Sequence, residues 1–516
     1  MEIEPAVGTR VLDDSRIAQR RDVRLVAALL GLAALAFAIR FGGLAFRGLL
    51  DARISLDEGT YFAGAIAFVN GRLPYRDFSI LHPPGLLYVL APFAQLATLT
   101  TEMSGLQVAR VAFMLLGALN TFLVGLVGAR VNRATGVAAA ALYAVWILPI
   151  NSERSTVLIV PQVVPMLVAL LALTGRSAAE LTNRRVAVAG AAIGVTGVVQ
   201  IWAAVPAIVI LAWLVLRTRG RGREALRAPL VFVLSGAVTA GLLLIPMLLA
   251  AGPRMVQMII FAQATRVHGL QTNITSRLQY LEGLEGTPLG VTVPAPAVLL
   301  LGVAGLAVIL LAAWKRPAVR LWAAIVGSQV AVIMVLPIFL EHYRGWPAPL
   351  LALCLGAAVA MALSWLPSGR RALGYGAYAA VLLLFATITL ARPGGAQVPV
   401  RADMPELLAA RCVIADEGYV ALRTQTLVRS LRNGCTIVPN PRSFAQLFNA
   451  TNGTKSPKTA QAEYQQHTLE YFSSADVLLL AQVRQDGLTE ATMAALRAEF
   501  PYETTMGPVL ELRRQP

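Results

Sequence analysis

The sequence predicts a polytopic α-helical membrane protein that ends in a small α/β domain. Its 516 residues are 57% hydrophobic and only 14% charged, whereas soluble globular proteins have about 25% charged residues. Apolar stretches of the length needed to span a membrane recur through residues 25–391. The composition becomes polar from residue 392 to residue 516, which indicates a separate domain of ordinary small-domain size.

About eleven membrane-spanning helices are expected, since each span needs about 20 mostly apolar residues. They lie near residues 25–46, 105–129, 135–150, 155–174, 186–200, 202–216, 229–250, 291–313, 321–340, 346–366 and 372–391. Two of them are short, and they predict a tight hairpin around Gln200, Ile201 and Trp202. The tail 1–24 is polar and basic, and we expect the apolar stretch after it to remain as an anchor.

Arginine and lysine positions predict the orientation. The basic gaps are 10–24, 130–133, 176–185, 217–227, 315–320 and 370–371. All of them fall on one side if the apolar run 85–100 does not cross, and basic loops face the cytoplasm. We therefore expect a plasma-membrane protein with a cytoplasmic N terminus and an extracytoplasmic C terminus. The run 85–100 becomes an interfacial or re-entrant helix. The net charge of +16 is explained by this topology, which argues against nucleic-acid binding.

On this topology, the outer face receives the C-terminal domain 392–516 and four shorter regions. These regions are the long loop 47–104, residues 151–154, the loop 251–290 and residues 341–344. The functional residues should therefore be sought in these regions.

The C-terminal domain alternates strand-like and helix-like segments. Strands are predicted at 412–415, 436–439, 477–480 and 509–512, helices at 418–432 and 487–499, and a loop at 449–463. Cys412 and Cys435 would lie in an oxidising compartment, so either a disulfide or two free buried thiols fits. Cys354 lies within a span. No CxxC pattern or His/Cys cluster indicates a metal site.

Two adjacent carboxylates, Asp57 and Glu58, follow the first span in the loop 47–104. Such a pair is either ordinary charge on a solvated loop or part of a catalytic site. The loop is much longer than a connector and carries aromatic residues, so we expect it to fold onto the bundle. Tyr61 and His82 could support an acceptor there. Glycosyl transfer needs a general base that takes a proton from the acceptor, and inversion at the anomeric carbon needs one carboxylate.

A lipid-phosphate leaving group would need cationic or hydrogen-bonding partners. The predicted phosphate-binding residues are His342, Tyr343, Arg344, Arg154 and His268, and Arg266 lies in the same outer loop. The alternative for each arginine, including Arg40 within the first span, is that it snorkels to the interface. Glu153 is either a second carboxylate that orients the acceptor or a local ion-pair partner of Arg154.

These residues resemble a known family. The pattern Asp57-Glu58-x-x-Tyr61 after the first span, followed by the run from His82 to Tyr88 (HPPGLLY), resembles membrane glycosyltransferases of the GT-C fold. Similar stretches are Ser104 to Arg110 and Glu341 to Arg344. The nearest relatives by this pattern are protein O-mannosyltransferases, aminoarabinose transferases that modify lipid A, and actinobacterial members using polyprenyl-phosphate sugars. The resemblance covers roughly residues 25–390.

The resemblance implies an inverting hexosyl- or pentosyltransferase with a polyprenyl-phosphate-linked sugar donor and a glycan, lipid or protein acceptor in the cell envelope. It implies no cofactor, and assistance by a divalent metal is left open. It implies that Asp57 is the catalytic base and that Glu58 is its partner. Two departures stand out: the hairpin around Gln200 lacks a lysine, and the C-terminal domain does not resemble the tails of these families. A transporter or flippase of a lipid-linked substrate is the alternative function, and an interaction scaffold is a third.

Overall fold

A computed structural model describes residues 7–175, 180–220, 225–267, 273–283, 293–392, 395, 398, 400, 404–481 and 487–515, with side chains from residue 22 onward. Most of the chain is helical. The helices before the C-terminal domain are α1 Val7–Ala45, α2 Leu56–Val69, α3 Gly85–Leu99, α4 Glu102–Ala129, α5 Arg133–Val145, α6 Ile147–Glu153, α7 Ile159–Leu173, α8 Asn183–Val199, α9 Ala204–Thr218, α10 Arg227–Ala251, α11 Pro253–Val256, α12 Ala262–Ala264, α13 Ile274–Glu282, α14 Ala295–Lys315, α15 Pro317–Val335, α16 Ala348–Trp365 and α17 Arg371–Ala391.

All eleven predicted spans correspond to helices. Among the described residues, eight helices are long and apolar enough to cross a membrane, and the bent pair α5–α6 makes nine if it forms one span. The other two segments are the shorter helices α7, with 15 residues, and α8, with 17 residues. The chain is thus a multi-pass membrane protein.

Two breaks in the bundle bring the chain back toward one end of it. Helices α5 and α6 meet at 57°, because Trp146 between them adopts an extended backbone. Helix α8 ends at Val199, Gln200 is extended, and a 3-10 turn at Ile201–Ala203 leads into α9. The predicted break around Gln200, Ile201 and Trp202 is therefore present as an extended residue followed by a 3-10 turn.

The segment between α1 and α4 folds onto the bundle. It contains α2 and α3, and α3 has 15 residues, or roughly 22 Å, which is shorter than the roughly 30 Å membrane core. Between them the chain turns sharply at Tyr75, whose φ is 67°. The Tyr75 hydroxyl donates to the carbonyl of His82 at 2.7 Å, which ties the turn to the residues before α3.

The C-terminal domain is a four-stranded sheet with order β1-β2-β4-β3. The elements are α18 Pro405–Ala409, β1 Val413–Ala415, α19 Gly418–Arg423, α20 Leu427–Arg432, α21 Ser443–Asn452, α22 Ala462–Phe472, β2 Val477–Leu480, α23 Glu490–Glu499, β3 Tyr502–Met506 and β4 Val509–Arg513. Strands β1 and β2 are parallel, and the other two pairs are antiparallel.

Three of the four predicted strands are confirmed, and the fourth is wrong. Residues 436–439 are irregular, and the remaining strand is β3, which is mostly exposed and so lacks the buried apolar pattern of the others. The predicted helix 418–432 is split into α19 and α20 at Gln425, whose φ is 54°. The predicted loop 449–463 begins inside α21 and ends inside α22. Cys412 and Cys435 form a disulfide.

The C-terminal domain shares a hydrophobic core with the segment between α1 and α4. One continuous cluster includes Phe62 of α2, Leu87 of α3, Trp346 before α16 and Tyr419 of α19, and it reaches Leu479 of β2. A second cluster, of α14, α15 and the other helices of the bundle, lies apart from it. The domain is therefore packed onto α2 and α3 rather than attached by a linker alone.

Candidate active site

The site begins at the first turn of α2, which places two neighbouring carboxylates on different sides of the helix. Ser55 precedes the helix with an extended backbone, and Asp57 and Glu58 lie in the first turn, where negative charge interacts favourably with the helix dipole. Consecutive residues of a helix are separated by about 100° around its axis. The Asp57 side chain is 31% exposed, whereas that of Glu58 is fully buried.

The Glu58 carboxylate is engaged in hydrogen bonds with neighbouring residues. Arg110 of α4 donates through Nε to Glu58 Oε1 at 2.9 Å, and the backbone N–H of Thr156 donates to the same oxygen at 3.0 Å. The Arg110 guanidinium also holds the carbonyl of Ala52 at 2.7 Å. We therefore revise the role expected of Glu58 as the catalytic partner of Asp57: its buried carboxylate anchors the start of α2.

Asp57 faces the 3-10 helix Glu341–Gly345. Its Oδ2 lies 3.6 Å from Nε2 of His342, a little beyond hydrogen-bonding distance. The 3-10 helix is held in place by Ser152 of α6, whose hydroxyl donates to the His342 carbonyl at 2.9 Å. A Cβ on Gly345 would overlap the Ser152 hydroxyl, so this close approach requires glycine.

Aromatic and basic groups surround Asp57. The ring of Tyr61 meets that of His82 edge to face at 5.8 Å, and the rings of His342 and Tyr343 meet in the same way at 4.9 Å. The charge of Arg266, just beyond α12, acts to lower the pKa of Tyr343, which places its guanidinium near the Tyr343 hydroxyl. The Nε of Arg266 has no hydrogen-bond partner within the described part of the chain. One carboxylate thus lies among potential hydrogen-bond donors.

Burial sets the protonation states around Asp57. It lowers the pKa of His342, although the charge of Asp57 opposes this shift. It also lowers the pKa of His82 to about 3, with smaller contributions from Arg266 and His342. Burial raises the pKa of Tyr61 and Tyr343. At neutral pH, both imidazoles are therefore uncharged, both phenols keep their protons, and Arg266 supplies the positive charge.

Two residues expected at the site are engaged elsewhere. Arg154 donates to the carbonyls of Ile39 at 3.0 Å and of Arg40 at 3.2 Å, so its guanidinium caps the last turns of α1. Glu153 forms an ion pair with Arg40 and not with Arg154. The expected roles of Arg154 in phosphate binding and of Glu153 in acceptor orientation are therefore not supported.

The Glu153 carboxylate is the centre of a second buried polar network. It accepts from Asn120 of α4 at 2.8 Å and from the Tyr143 hydroxyl of α5 at 2.8 Å. Arg40 also donates to the Ala144 carbonyl at 3.1 Å. Snorkelling of Arg40 is thus excluded, because its guanidinium points into the bundle.

Arg344 lies against α13. It is almost fully buried, and its guanidinium lies 5.7 Å from the ring centre of Tyr280 in α13. Burial and repulsion from Arg392 lower the pKa of Arg344 to about 9. His268 lies outside the described residues, so its expected role stays a prediction.

Sequence reasoning missed several residues that build the site. Arg110 was noted only as part of a similar stretch, and Ser152 and Thr156 have no distinguishing pattern. Trp202 of the hairpin packs edge to face on Tyr343 at 4.7 Å and on Trp346 at 5.1 Å. The break in apolar character at Gln200–Trp202 was the one available signal that the hairpin reaches this end of the bundle.

Among the residues that the structure describes, no group of three or more His, Cys, Asp or Glu side chains could hold a metal ion. No protein-family model matches the sequence, and no curated protein matches it significantly.

Solved structures show what the architecture is similar to. ArnT from Cupriavidus metallidurans in the apo state aligns with a TM-score of 0.59 at 12% identity, over 93% of this chain and 96% of ArnT. The same ArnT bound to undecaprenyl phosphate aligns at 0.56 and 13% identity, over 93% and 97%. The Archaeoglobus fulgidus oligosaccharyltransferase AglB, in complex with an inhibitory peptide and a dolichol-phosphate, aligns at 0.54 and 14% identity, over 89% and 69%. The chain therefore has the GT-C fold.

Proposed function

We propose that this protein is a membrane glycosyltransferase that moves a sugar from a polyprenyl-phosphate donor to an acceptor on the extracytoplasmic side. The observation that carries the proposal is the partly open carboxylate of Asp57, which lies beside His342 on a GT-C scaffold. Similarly folded structures contain undecaprenyl phosphate and a dolichol-phosphate, which supports a lipid-phosphate donor.

The residues around Asp57 suit the two halves of the reaction. Asp57 takes the proton from the acceptor hydroxyl or amine as the acceptor attacks the anomeric carbon. The bond from that carbon to the phosphate oxygen breaks, and its electron pair leaves with the lipid phosphate. Attack from the face opposite the phosphate inverts the anomeric centre, so one carboxylate is sufficient.

The leaving phosphate needs donors on the side away from the acceptor. Arg266 supplies the positive charge, and the protonated hydroxyl of Tyr343 and the neutral imidazole of His342 can each donate one hydrogen bond. This assignment replaces Arg154, which is held by α1, with Arg266.

A reconstituted transfer assay tests the proposal. The purified chain in liposomes would be given radiolabelled polyprenyl-phosphate hexoses and pentoses together with a cell-envelope acceptor fraction. We expect label to move from the lipid to the acceptor and undecaprenyl phosphate to bind the protein. Movement of the intact labelled lipid across the bilayer without transfer would favour a flippase instead.

Thiol labelling tests the face on which the site lies. Lys455 is exposed in the C-terminal domain, while Cys412 and Cys435 are joined and Cys354 is buried. In a Lys455→Cys variant, a membrane-impermeant maleimide should label intact cells from outside. Labelling only after the cytoplasmic face is opened would contradict the extracytoplasmic site.

A further inference from the structure

We propose that the C-terminal domain positions Asp57: its helix α19 clamps the first turn of α2, and the domain is part of the catalytic framework rather than an acceptor-binding attachment alone. This inference rests on the proposed function for its catalytic consequence. Its structural content does not depend on that function.

The centre of the clamp is a contact between two glycines. Gly59 lies two residues after Asp57, and a Cβ there would overlap the backbone of Tyr419. A Cβ on Gly418 would in turn overlap the carbonyl of Gly59. Neither glycine has a positive φ, so what the contact requires is the absence of a side chain. The two helices can touch at this depth only while both residues are glycine.

Ion pairs flank the glycine contact. Arg423 at the end of α19 lies 2.7 Å from Asp51, and each of these side chains is 28% exposed. Glu417, just before α19, lies 3.0 Å from Arg53. The Tyr419 hydroxyl donates to the Asp51 carbonyl. Every one of these partners precedes α2 by a few residues, so the contacts hold the chain that leads into Asp57.

A second contact holds the neighbouring helix. Glu102 at the start of α4 is buried and accepts from the backbone N–H of Val428 in α20 at 2.7 Å. Since α4 also carries Arg110, which pairs with Glu58, the domain holds both partners of that ion pair. The position of Asp57 is thus set both by the bundle, through α4, and by the C-terminal domain.

The clamp matters for catalysis because proton transfer depends steeply on the position of the reacting groups. A shift of about 1 Å in a reacting group can reduce the rate about a hundredfold. Loosening α19 from α2 should therefore lower kcat, while the binding of undecaprenyl phosphate, which uses other residues, should change little. A purely structural role would reduce the amount of folded protein and leave kcat per folded molecule unchanged.

Charge reversal at the Arg423–Asp51 pair tests the clamp. Hydrogen–deuterium exchange of the α2 amides would be measured in the full chain in detergent for Arg423→Glu and for the swapped pair Arg423→Glu with Asp51→Arg. The matched control is Arg497→Glu, because Arg497 pairs with Glu503 on the exposed surface of the same domain. We expect about fivefold faster exchange in the single reversal, recovery in the swapped pair and no change in the control. Unchanged α2 exchange in the single reversal would overturn the clamp.

The kinetic arm uses whichever polyprenyl-phosphate sugar the transfer assay finds to be a donor. Arg423→Glu should lower kcat by about tenfold with little change in undecaprenyl phosphate affinity, and the swapped pair should recover most of the loss. A Gly418→Ala variant tests the clamp independently, because it disturbs the glycine contact and leaves the Arg423–Asp51 pair unchanged. If the unaltered chain neither transfers sugar nor binds undecaprenyl phosphate, the proposed function fails, and the exchange data still decide whether the clamp exists.

Discussion

The two sides of the first turn of α2 differ in a way that their sequence does not show. On one side, Asp57 is partly exposed, and among the residues that the structure describes only His342 lies within ion-pair distance of it. On the other side, Glu58 is buried and receives hydrogen bonds from Arg110 and from the backbone of Thr156. A carboxylate with its lone pairs already occupied holds structure, whereas one with accessible oxygens can accept a proton. Neighbouring acids can therefore have separate roles.

The largest expected effect is on the rate of transfer, and it comes from changing Asp57, the exposed carboxylate. Asp57→Asn keeps the size of the side chain and removes its basicity, so we expect transfer to fall about 10²- to 10⁴-fold. The control is Asp77→Asn, the same change on the same loop, where the carboxylate accepts from the Leu73 backbone. Initial rates of transfer in liposomes measure both variants. Near-normal transfer by Asp57→Asn would remove Asp57 from the chemistry.

At Glu58, the buried carboxylate, the expected effect is on the stability of the fold. Arg110→Met leaves the buried Glu58 carboxylate without its cation, which should cost about 3–5 kcal/mol. The double variant Arg110→Met with Glu58→Gln should recover part of this loss, because no buried charge remains unpaired. Thermal unfolding in detergent measures both. A single variant that unfolds at the temperature of the unaltered chain would contradict the anchoring role.

Removing the disulfide should affect stability without acting on Asp57 directly. Cys412 and Cys435 are 23 residues apart, and closing a loop of this size stabilises by about 3 kcal/mol. We expect Cys412→Ser with Cys435→Ser to lower the unfolding temperature of the C-terminal domain. Calorimetry with and without reductant checks this, since the reductant should affect only the unaltered chain.

The smallest effect concerns pH. The folded-state pKa of His82 is lowered to about 3, against about 6.5 in an unfolded chain. Below pH 6.5 the His82 imidazole binds a proton in the unfolded state but stays neutral in the folded state. Stability therefore falls as the pH falls from 6.5 toward 3. His82→Gln should weaken this dependence between pH 7 and pH 5. Equal slopes of unfolding temperature against pH in the two chains would show that His82 is not held neutral.

Much of the bundle could be predicted from the sequence because each span carries its own signal. A run of apolar residues identifies α10 or α14 without knowledge of any partner. The small C-terminal α/β domain was also expected, with its disulfide as one of two alternatives, although β3 was missed because its residues are largely exposed.

The site was predicted less completely because its geometry depends on contacts distant in sequence. Asp57 and His342 are identified by motifs. Glu153 was expected either to orient the acceptor or to pair with its chain neighbour Arg154, whereas its partner is Arg40, 113 residues away. Composition and spacing contain no information about such a pairing. The docking of α19 on Gly59 was likewise absent from the sequence pattern, since a glycine in a helix signals flexibility as readily as close packing.

A cryo-EM map of the chain with bound undecaprenyl phosphate tests the central claim most directly, namely that the opening beside Asp57 is where a sugar leaves its lipid phosphate. The account predicts that the phosphate lies within hydrogen-bonding distance, about 3 Å, of the Tyr343 hydroxyl and the Arg266 guanidinium. It also predicts that the Asp57 carboxylate faces the phosphate across a gap wide enough for a sugar. A phosphate bound against Arg344 and Arg392, with Asp57 turned away from it, would contradict the account.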